Sequence, residues 1–310
     1  MATKSWVGTD SGNEGDWDTA ANWSPSGVPG SATTDDIYFE NSSQDVTAGL
    51  DQTAMGAMSS LNIDQSYTGS LGTDSVALQI ESPIVAIGYH NGPGTPVGSP
   101  LLHLDMGSVT ATAITVSNAG TSADSTRAPI RLLAANAAST LVVLKGKVSV
   151  ATAADETAIF GTITAAYDTR VSTDVDLFIG SGTAITTLNI LGGDTFLEKE
   201  DATDMTTCTV RAGTLTTSGT GTIGILNVSG GVVTCSHADQ VGGDTTSSVE
   251  NLNVYGGDGT VDFSRSLTAR TVDTMKLDPG GFITFDANIV TVTDNIDPYT
   301  SGINVTFTAS

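Results

Sequence analysis

The sequence is poor in basic residues. Lys and Arg together number 11 among 310 residues, against 34 Asp and Glu, and the formal net charge at pH 7 is -23. No cluster of Lys or Arg interrupts this acidic excess, so contacts with nucleic-acid phosphates or with anionic membrane surfaces would be repulsive. The composition therefore argues against nucleic acids and membranes as partners, and it predicts a highly soluble, acidic surface.

Cysteine is almost absent, with Cys208 and Cys235 as the only two in the chain. Each lies in a strand-like run and neither belongs to a C-x-x-C pair, so the sequence contains no disulfide framework. We expect both to be small buried apolar residues, as free cysteines commonly are. A disulfide between neighbouring turns of the chain is left open.

Motifs for catalysis, metal binding and cofactor binding are missing as well. His90, His103 and His237 are isolated from one another, and the sequence has neither a G-x-S-x-G elbow nor a phosphate-binding loop. The stretch GGDGTVDF from Gly256 departs from the calcium-binding nonapeptide because Asp262 comes one position late. We therefore predict that the protein is not an enzyme and carries no metal and no cofactor.

Two acidic stretches are the best candidates for a pair of catalytic carboxylates held about 5 to 10 Å apart. They are Asp155-Glu156 and EKEDATD at residues 198–204. Both lie in polar, loop-like sequence, and all three Trp residues fall within the first 23 positions, far from these acids. We expect both stretches to be solvated turns.

Short β-branched runs bounded by glycine are abundant, and one phrase among them recurs. It consists of Leu-Asn-(Ile or Val), a variable residue and a Gly pair. Complete and degenerate copies begin at Leu61, Leu188, Cys208, Leu226, Leu252 and Met275. Apolar residues at alternate positions predict a half-buried strand, and the Gly pair permits a positive φ and a sharp corner. We expect this corner conformation at Gly192 and Gly230.

The spacing of these copies predicts the fold class. The last five start 20, 18, 26 and 23 residues apart, which suits coils that return one strand spacing, about 4.8 Å, further along an axis while loops absorb the differences in length. We predict an all-β fold, a single-stranded β-solenoid (β-helix), with residues 56–310 as the solenoid body. Residues 89–100, rich in Pro and Gly, are expected to form an exposed lateral loop, and a linker between the first 85 residues and the main solenoid is the alternative.

The scarce aromatic residues are concentrated at the N-terminus, around the stretch WDTAANWSPSGVPGSATTDDIYF at residues 17–39. A solenoid ends in an open strand edge, which large aromatic side chains can cover and which prolines block because they lack an N–H. We predict that residues 1–55 form an aromatic N-terminal cap and docking segment. The candidate partner-binding residues are Trp6, Trp17, Trp23, Pro25, Pro29, Tyr38 and Phe39.

This stretch also resembles the opening of many β-solenoid proteins. The matching features are Trp17 followed by Ala21-Asn22-Trp23, then Gly-x-Pro ending at Pro29, and Asp36 before an apolar residue. Proteins with this opening include autotransporter-type bacterial surface adhesins and tailed-phage virion proteins of the capsid decoration type. The adhesins carry a signal peptide before the motif, whereas MATKSWVGTD has no apolar core of the required length. The resemblance therefore favours the phage virion proteins.

The resemblance implies a structural function. We expect a capsid decoration or cement protein that binds the outer surface of a tailed-phage head through the major capsid protein. Virion relatives further imply a homotrimer, and we expect synthesis in the host cytoplasm. One alternative is a tail fibre or tailspike protein that binds, with or without cleavage, host surface glycans. A second alternative is a bacterial surface adhesin.

Overall fold

The computed structural model describes most of the chain, with gaps. The described residues are 2–30, 35–55, 58–88, 101–118, 128–153, 155–166, 175–199, 205–219, 222–235, 248–263, 270–278, 280–286, 290–296 and 304–308. The loop predicted at residues 89–100, the acidic residues 200–204 and the side chains of His90 and His237 lie outside these ranges.

Strands dominate the described residues, which contain no α-helix. No helix in this part of the chain is long and apolar enough to cross a bilayer. The chain divides into two compact units, the first comprising Met1–Ala151, Thr157–Gly161 and Arg170–Thr173, and the second comprising Thr152–Glu156, Thr162–Thr169 and Asp174–Ser310. The predicted cap, residues 1–55, belongs to the first unit.

Among its described residues, the first unit contains eleven complete strands and two 3-10 turns, Ala20–Asn22 and Thr53–Met55. The strands are β1 (Thr3–Trp6), β2 (Trp23–Ser24), β3 (Asp36–Phe39), β4 (Ser60–Ile63), β5 (Leu78–Gln79), β6 (Ile84–Ile87), β7 (Leu102–Asp105), β8 (Ala113–Val116), β9 (Ile130–Leu133), β10 (Thr140–Val143) and β11 (Gly146–Val150). Strand β12 (Ala158–Ala165) has residues in both units.

The part of the second unit that the structure describes contains thirteen strands. They are β13 (Val175–Ile179), β14 (Thr183–Ile190), β15 (Asp194–Lys199), β16 (Met205–Val210), β17 (Thr214–Gly219), β18 (Ile223–Val228), β19 (Val232–Cys235), β20 (Ser248–Val254), β21 (Thr260–Asp262), β22 (Arg270–Leu277), β23 (Phe282–Asp286), β24 (Val290–Ile296) and β25 (Asn304–Thr308).

Alternate strands of the first unit enter two different parallel sheets. From β3 onward, β3, β4, β6, β8 and β10 are neighbours in one sheet, while β5, β7, β9 and β11 are neighbours in the other. Each coil therefore supplies one strand to each sheet. One buried row of the first sheet runs through Ile37, Leu61, Val85, Ile114 and Leu141.

The second unit repeats this arrangement and places the recurring phrase in register. The five copies begin at Leu188, Cys208, Leu226, Leu252 and Met275, and these residues pair in that order along one parallel sheet. All five side chains are buried. The predicted all-β solenoid is therefore confirmed, including the degenerate copies at Cys208 and Met275.

The corner after each phrase contains the expected positive φ, but at a different glycine. The φ angle is 74° at Gly193 and 75° at Gly231, whereas Gly192 and Gly230 do not have positive φ, so the expectation for those two was wrong. Gly230 is needed for space instead, since a Cβ atom there would lie 2.3 Å from the backbone oxygen of Arg211 on the preceding coil. At this corner the first glycine permits close stacking, and the second makes the turn and also lies close to the preceding coil.

The two cysteines are free thiols, and both are buried. Burial and, to a smaller extent, the nearby Cys235 raise the pKa of the Cys208 thiol from 9.0 to about 12. The expectation of two small buried residues is confirmed, and no disulfide joins them.

Candidate functional site

The aromatic residues of the N-terminal segment form one buried cluster. The ring centroids of Trp6 and Trp23 lie 5.0 Å apart, and those of Trp17 and Trp23 lie 4.6 Å apart, both pairs edge to face. Phe39 contacts all three indoles at 6.0 Å and extends the cluster to Tyr67 at 5.2 Å. All five side chains are at most 2 % exposed, so the rings are the core of the cap.

The backbone of the cap brings these rings together. Strand β1 pairs in parallel with β3 and antiparallel with β2, which places Trp6 directly opposite Trp23. The indole N–H of Trp6 donates a hydrogen bond to the backbone oxygen of Gln44 at 3.0 Å, and the Tyr67 hydroxyl donates to the same oxygen at 2.9 Å. The Trp6 and Tyr67 rings are thus held by polar contacts as well as by packing.

Asn22, the middle residue of the Ala-Asn-Trp phrase, organises the loop before the cap's end strand. Its buried side-chain amide donates to the backbone oxygens of Asn13 and Asp16 at 2.6 and 3.0 Å, and its Oδ1 accepts from the N–H of Asp10 at 2.8 Å. Its own backbone oxygen accepts from the N–H of Val7 at 2.9 Å. The asparagine of this phrase therefore has a structural role that an aliphatic residue could not perform.

Strand β2 closes the N-terminal end of its sheet. It is the end strand there, and Pro25 follows it directly. Proline has no N–H to donate to a further strand, and the carbonyl of Pro25 already accepts a hydrogen bond from Nζ of Lys4 at 2.9 Å. The aromatic N-terminal cap expected from the sequence is present.

The seven candidate partner-binding residues occupy different environments. Trp6, Trp17, Trp23, Phe39 and Pro29 are buried. Pro25 is exposed and Tyr38 is half-buried. In this structure only Pro25 and Tyr38 offer side-chain surface to a partner, and the buried residues support the cap from inside. Partner binding by this segment stays a prediction.

Tyr38 lines an open groove on the outer face of the first unit. The groove has a volume of about 380 Å³ and crosses the ends of β3, β4, β6 and β8. Its lining residues are Tyr38, Glu40, Asn62, Ile63, Asp64, Ala86, Ile87, Gly88, Thr115 and Ser117. Tyr38 could be identified from the sequence, whereas the other lining residues could not, because they come from four separate coils.

Two rows of outward positions form the walls of the groove. Tyr38, Asn62, Ala86 and Thr115 occupy equivalent positions on the four strands. The second row lies two residues later on each coil and consists of Glu40, Asp64, Gly88 and Ser117. The backbone N–H groups of Asp64, Gly88 and Ser117 each donate a hydrogen bond of 2.7 to 2.9 Å to the preceding coil. The small residues Ala86 and Gly88 leave the space between the larger side chains.

Hydrogen bonds fix the polar groups at one end of the groove. Oε1 of Glu40 accepts from the hydroxyl of Ser5 at 3.2 Å, and Nδ2 of Asn62 donates to the hydroxyl oxygen of Ser60 at 2.9 Å. The carboxylate of Asp64 accepts from the N–H and the hydroxyl of Ser66 at 2.9 and 2.7 Å, which lowers the pKa of Asp64. Asp64 is therefore ionised at neutral pH.

Two of the other candidates that the structure describes, Glu156 and His103, have local structural contacts. Glu156 lies in a turn, where its N–H donates to the oxygen of Ala153 and its Oε2 accepts from the N–H of Ala153, both at 3.0 Å. This confirms the turn expected at Asp155-Glu156. Nδ1 of the buried His103 lies 2.9 Å from the backbone oxygen of Thr73. Within the described part of the chain, no group of three or more His, Cys, Asp or Glu could hold a metal ion.

Comparisons of the chain with protein families, with curated proteins and with solved structures find no match. Its function must therefore be inferred from the solenoid, the cap and the groove.

Proposed function

We propose that this chain is a structural protein of a tailed-phage virion, a capsid decoration or cement protein that acts by binding and without catalysis. It covers and braces the outer surface of the head by contacting the major capsid protein. The observation that supports this most directly is the closed N-terminal end, where Trp6 pairs with Trp23 and Pro25 blocks further strand addition. A solenoid closed in this way suits a discrete unit attached to a lattice, because its end does not recruit another copy by strand pairing.

The cap is the proposed docking end. Its aromatic core is already ordered, so binding through its outer surface requires little further ordering of side chains. That surface includes Ser24 and Pro25, both exposed on or beside the end strand. The net charge of -23 keeps crowded copies soluble on the particle. By analogy with the virion proteins that the opening motif resembles, the bound form is a homotrimer.

Rebinding to stripped heads tests this proposal. Purified full-length protein should bind particles that lack it in a saturable manner and should increase their resistance to heat or low salt. In the variant Ser24→Arg, a bulky charged side chain occupies the proposed docking surface. We expect it to weaken rebinding at least about tenfold while the protein keeps its thermal unfolding temperature.

The matched control is Ser229→Arg, because Ser229 is also exposed but lies in the second unit. This variant should rebind like the wild type. Equal rebinding by both variants would contradict docking through the cap. Saturable binding to host cells, or depolymerisation of host polysaccharide, without affinity for stripped heads would contradict head decoration and favour the tail fibre or tailspike alternative. If a bacterium encodes and exports the protein, and the exported protein attaches to surfaces, the adhesin alternative would be favoured.

A further inference from the structure

We propose that the groove between Tyr38 and Ser117 is a binding site for a neutral saccharide chain, which lies across the ends of β3, β4, β6 and β8. Docking to a capsid through the cap does not require this site, so the inference goes beyond the proposed function. It depends on the shape of the groove and on the chemistry of its walls.

The shape suits an elongated ligand. The groove crosses three strand spacings, about 14 Å in total, and its volume of about 380 Å³ falls in the range of small-molecule sites. Its depth results from Ala86 and Gly88, which occupy outward positions without large side chains. Polar side chains lie at both ends of the groove, so a bound saccharide chain would contact polar groups at more than one point along its length.

The chemistry of the walls suits hydroxyl groups. Glu40, Asp64 and the Asn62 amide oxygen are hydrogen-bond acceptors at one end. At the other end the Thr115 hydroxyl can donate or accept, and the Ser117 hydroxyl, which donates to the backbone oxygen of Ile87 at 3.1 Å, can accept. An ionised carboxylate has about four acceptor positions, so the contacts with Ser5 and Ser66 do not exhaust Glu40 and Asp64. The ring of Tyr38 adds an apolar surface of the kind that packs against the C–H face of a sugar.

Charge narrows the ligand class. Glu40 and Asp64 directly follow the paired residues Phe39 and Ile63 on neighbouring strands, so both acidic residues lie on adjacent coils at the same end of the groove. They would repel sulfated, phosphorylated or uronic acid chains. A basic peptide would satisfy these carboxylates, but its further cationic side chains would find no anionic partner beside Thr115 and Ser117 at the opposite end. A neutral saccharide offers hydroxyl groups along the whole groove.

The test uses the full-length protein and an array of neutral oligosaccharides of three to six units, built from glucose, galactose or N-acetylglucosamine. Acidic oligosaccharides of matched length and an oligolysine peptide are included as competing ligand classes. We expect saturable binding of at least one neutral chain, confirmed by titration calorimetry. An array without a saturable neutral binder would overturn the proposal.

Two variants locate the site. Gly88→Leu fills the groove, and its Cβ would make only ordinary contacts, the nearest being 3.5 Å from Oγ of Ser117. Tyr38→Ala removes the aromatic wall. Each should weaken binding at least about tenfold, with unchanged thermal unfolding for Gly88→Leu. The matched control Ala113→Leu alters an exposed position on the same face outside the groove and should bind like the wild type.

Three other outcomes would overturn the saccharide proposal. They are binding that Gly88→Leu does not weaken, salt-sensitive binding of oligolysine alone, and preference for the acidic chains. Rebinding of Gly88→Leu to stripped heads separates this inference from the proposed function. If Gly88→Leu no longer binds the saccharide but still rebinds to stripped heads, saccharide binding and head binding are independent of each other.

Discussion

The indole N–H of Trp23 donates a hydrogen bond to the backbone oxygen of Trp17 at 2.8 Å, while the two rings pack edge to face. Six residues separate them in the chain, and the segment between them contains the 3-10 turn Ala20–Asn22. The contact therefore closes this segment on itself and holds both rings inside the cap. The two Trp residues and the Asn of the Trp-x-x-x-Ala-Asn-Trp phrase are therefore part of the buried core of the cap, and other residues form its surface.

We predict that Trp23→Ala destabilises the protein by about 3 to 5 kcal/mol, as expected for a large buried aromatic side chain. Trp23→Phe should cost less, because it keeps an aromatic ring in contact with Trp17 and loses mainly the indole hydrogen bond. Urea unfolding followed by circular dichroism measures both. If Trp23→Ala kept wild-type stability and lost only ligand binding, Trp23 would belong to a ligand platform instead of the core.

Neighbouring residues in β20 should respond very differently to truncation. Leu252 is buried in the row that joins the phrase copies, so Leu252→Ala should cost about 2 to 5 kcal/mol. Asn253 faces outward, and its Nδ2 donates to Oδ1 of Asn227 at 3.0 Å. Asn253→Ala should cost at most about 1 kcal/mol. Equal losses of unfolding free energy in the two variants would contradict the alternation of buried and exposed positions.

The corner glycines provide a third prediction. Gly231 has a φ of 75°, and a Cβ atom there would lie 2.4 Å from the backbone oxygen of Gly213. Gly231→Ala should therefore cost more than the roughly 1 to 2 kcal/mol of a left-handed alanine. Gly88→Ala is the control, since Gly88 has neither a positive φ nor a close contact. Chemical denaturation of both variants should show a large loss of stability only for Gly231→Ala.

The buried thiol of Cys208 makes stability depend on alkaline pH. Its folded-state pKa is about 12, against an ordinary value of 9.0, so the unfolded chain loses this proton at lower pH than the folded one. The resulting stabilisation is complete below pH 9 and is lost as the pH rises towards 12. Cys208→Ala should show a shallower decline of the unfolding free energy across this interval.

Thiol labelling gives an independent measurement of the same burial. At pH 8 a thiol reagent should leave Cys208 unmodified in the native protein and should modify both cysteines after denaturation. Rapid labelling of Cys208 in the native state would contradict the raised pKa and the burial that causes it.

The sequence predicted the solenoid because inward positions recur with a period of two. Cys208 and Met275 could be aligned with leucines since the row requires only an apolar side chain that fits the core. The choice between Gly230 and Gly231 could not be predicted in the same way. Both lack a Cβ, and only the folded corner shows that both lie against the coil before it while Gly231 alone of the two adopts a positive φ.

The groove was harder to find in the sequence. Asn62 is the outward residue of the early phrase copy, but Ala86 and Thr115 belong to strands without a clear copy of that phrase. Their proximity depends on loop lengths that vary between coils, which sequence spacing alone does not determine. Tyr38 could be singled out because aromatic residues are rare, although its outward orientation follows only from the alternation in β3.

The matched rows of the second unit also make individual coils interchangeable. Leu226 and Leu252 occupy equivalent positions, so deletion of residues 226–251 would join Ile225 directly to Leu252 and keep the alternation of the resulting strand. Strand β21 would then lie beside β17, in the place that β19 occupies now. A gene encoding such a unit can gain or lose one coil in a single event without redesigning its core, and the height of the unit would change in steps of about 4.8 Å.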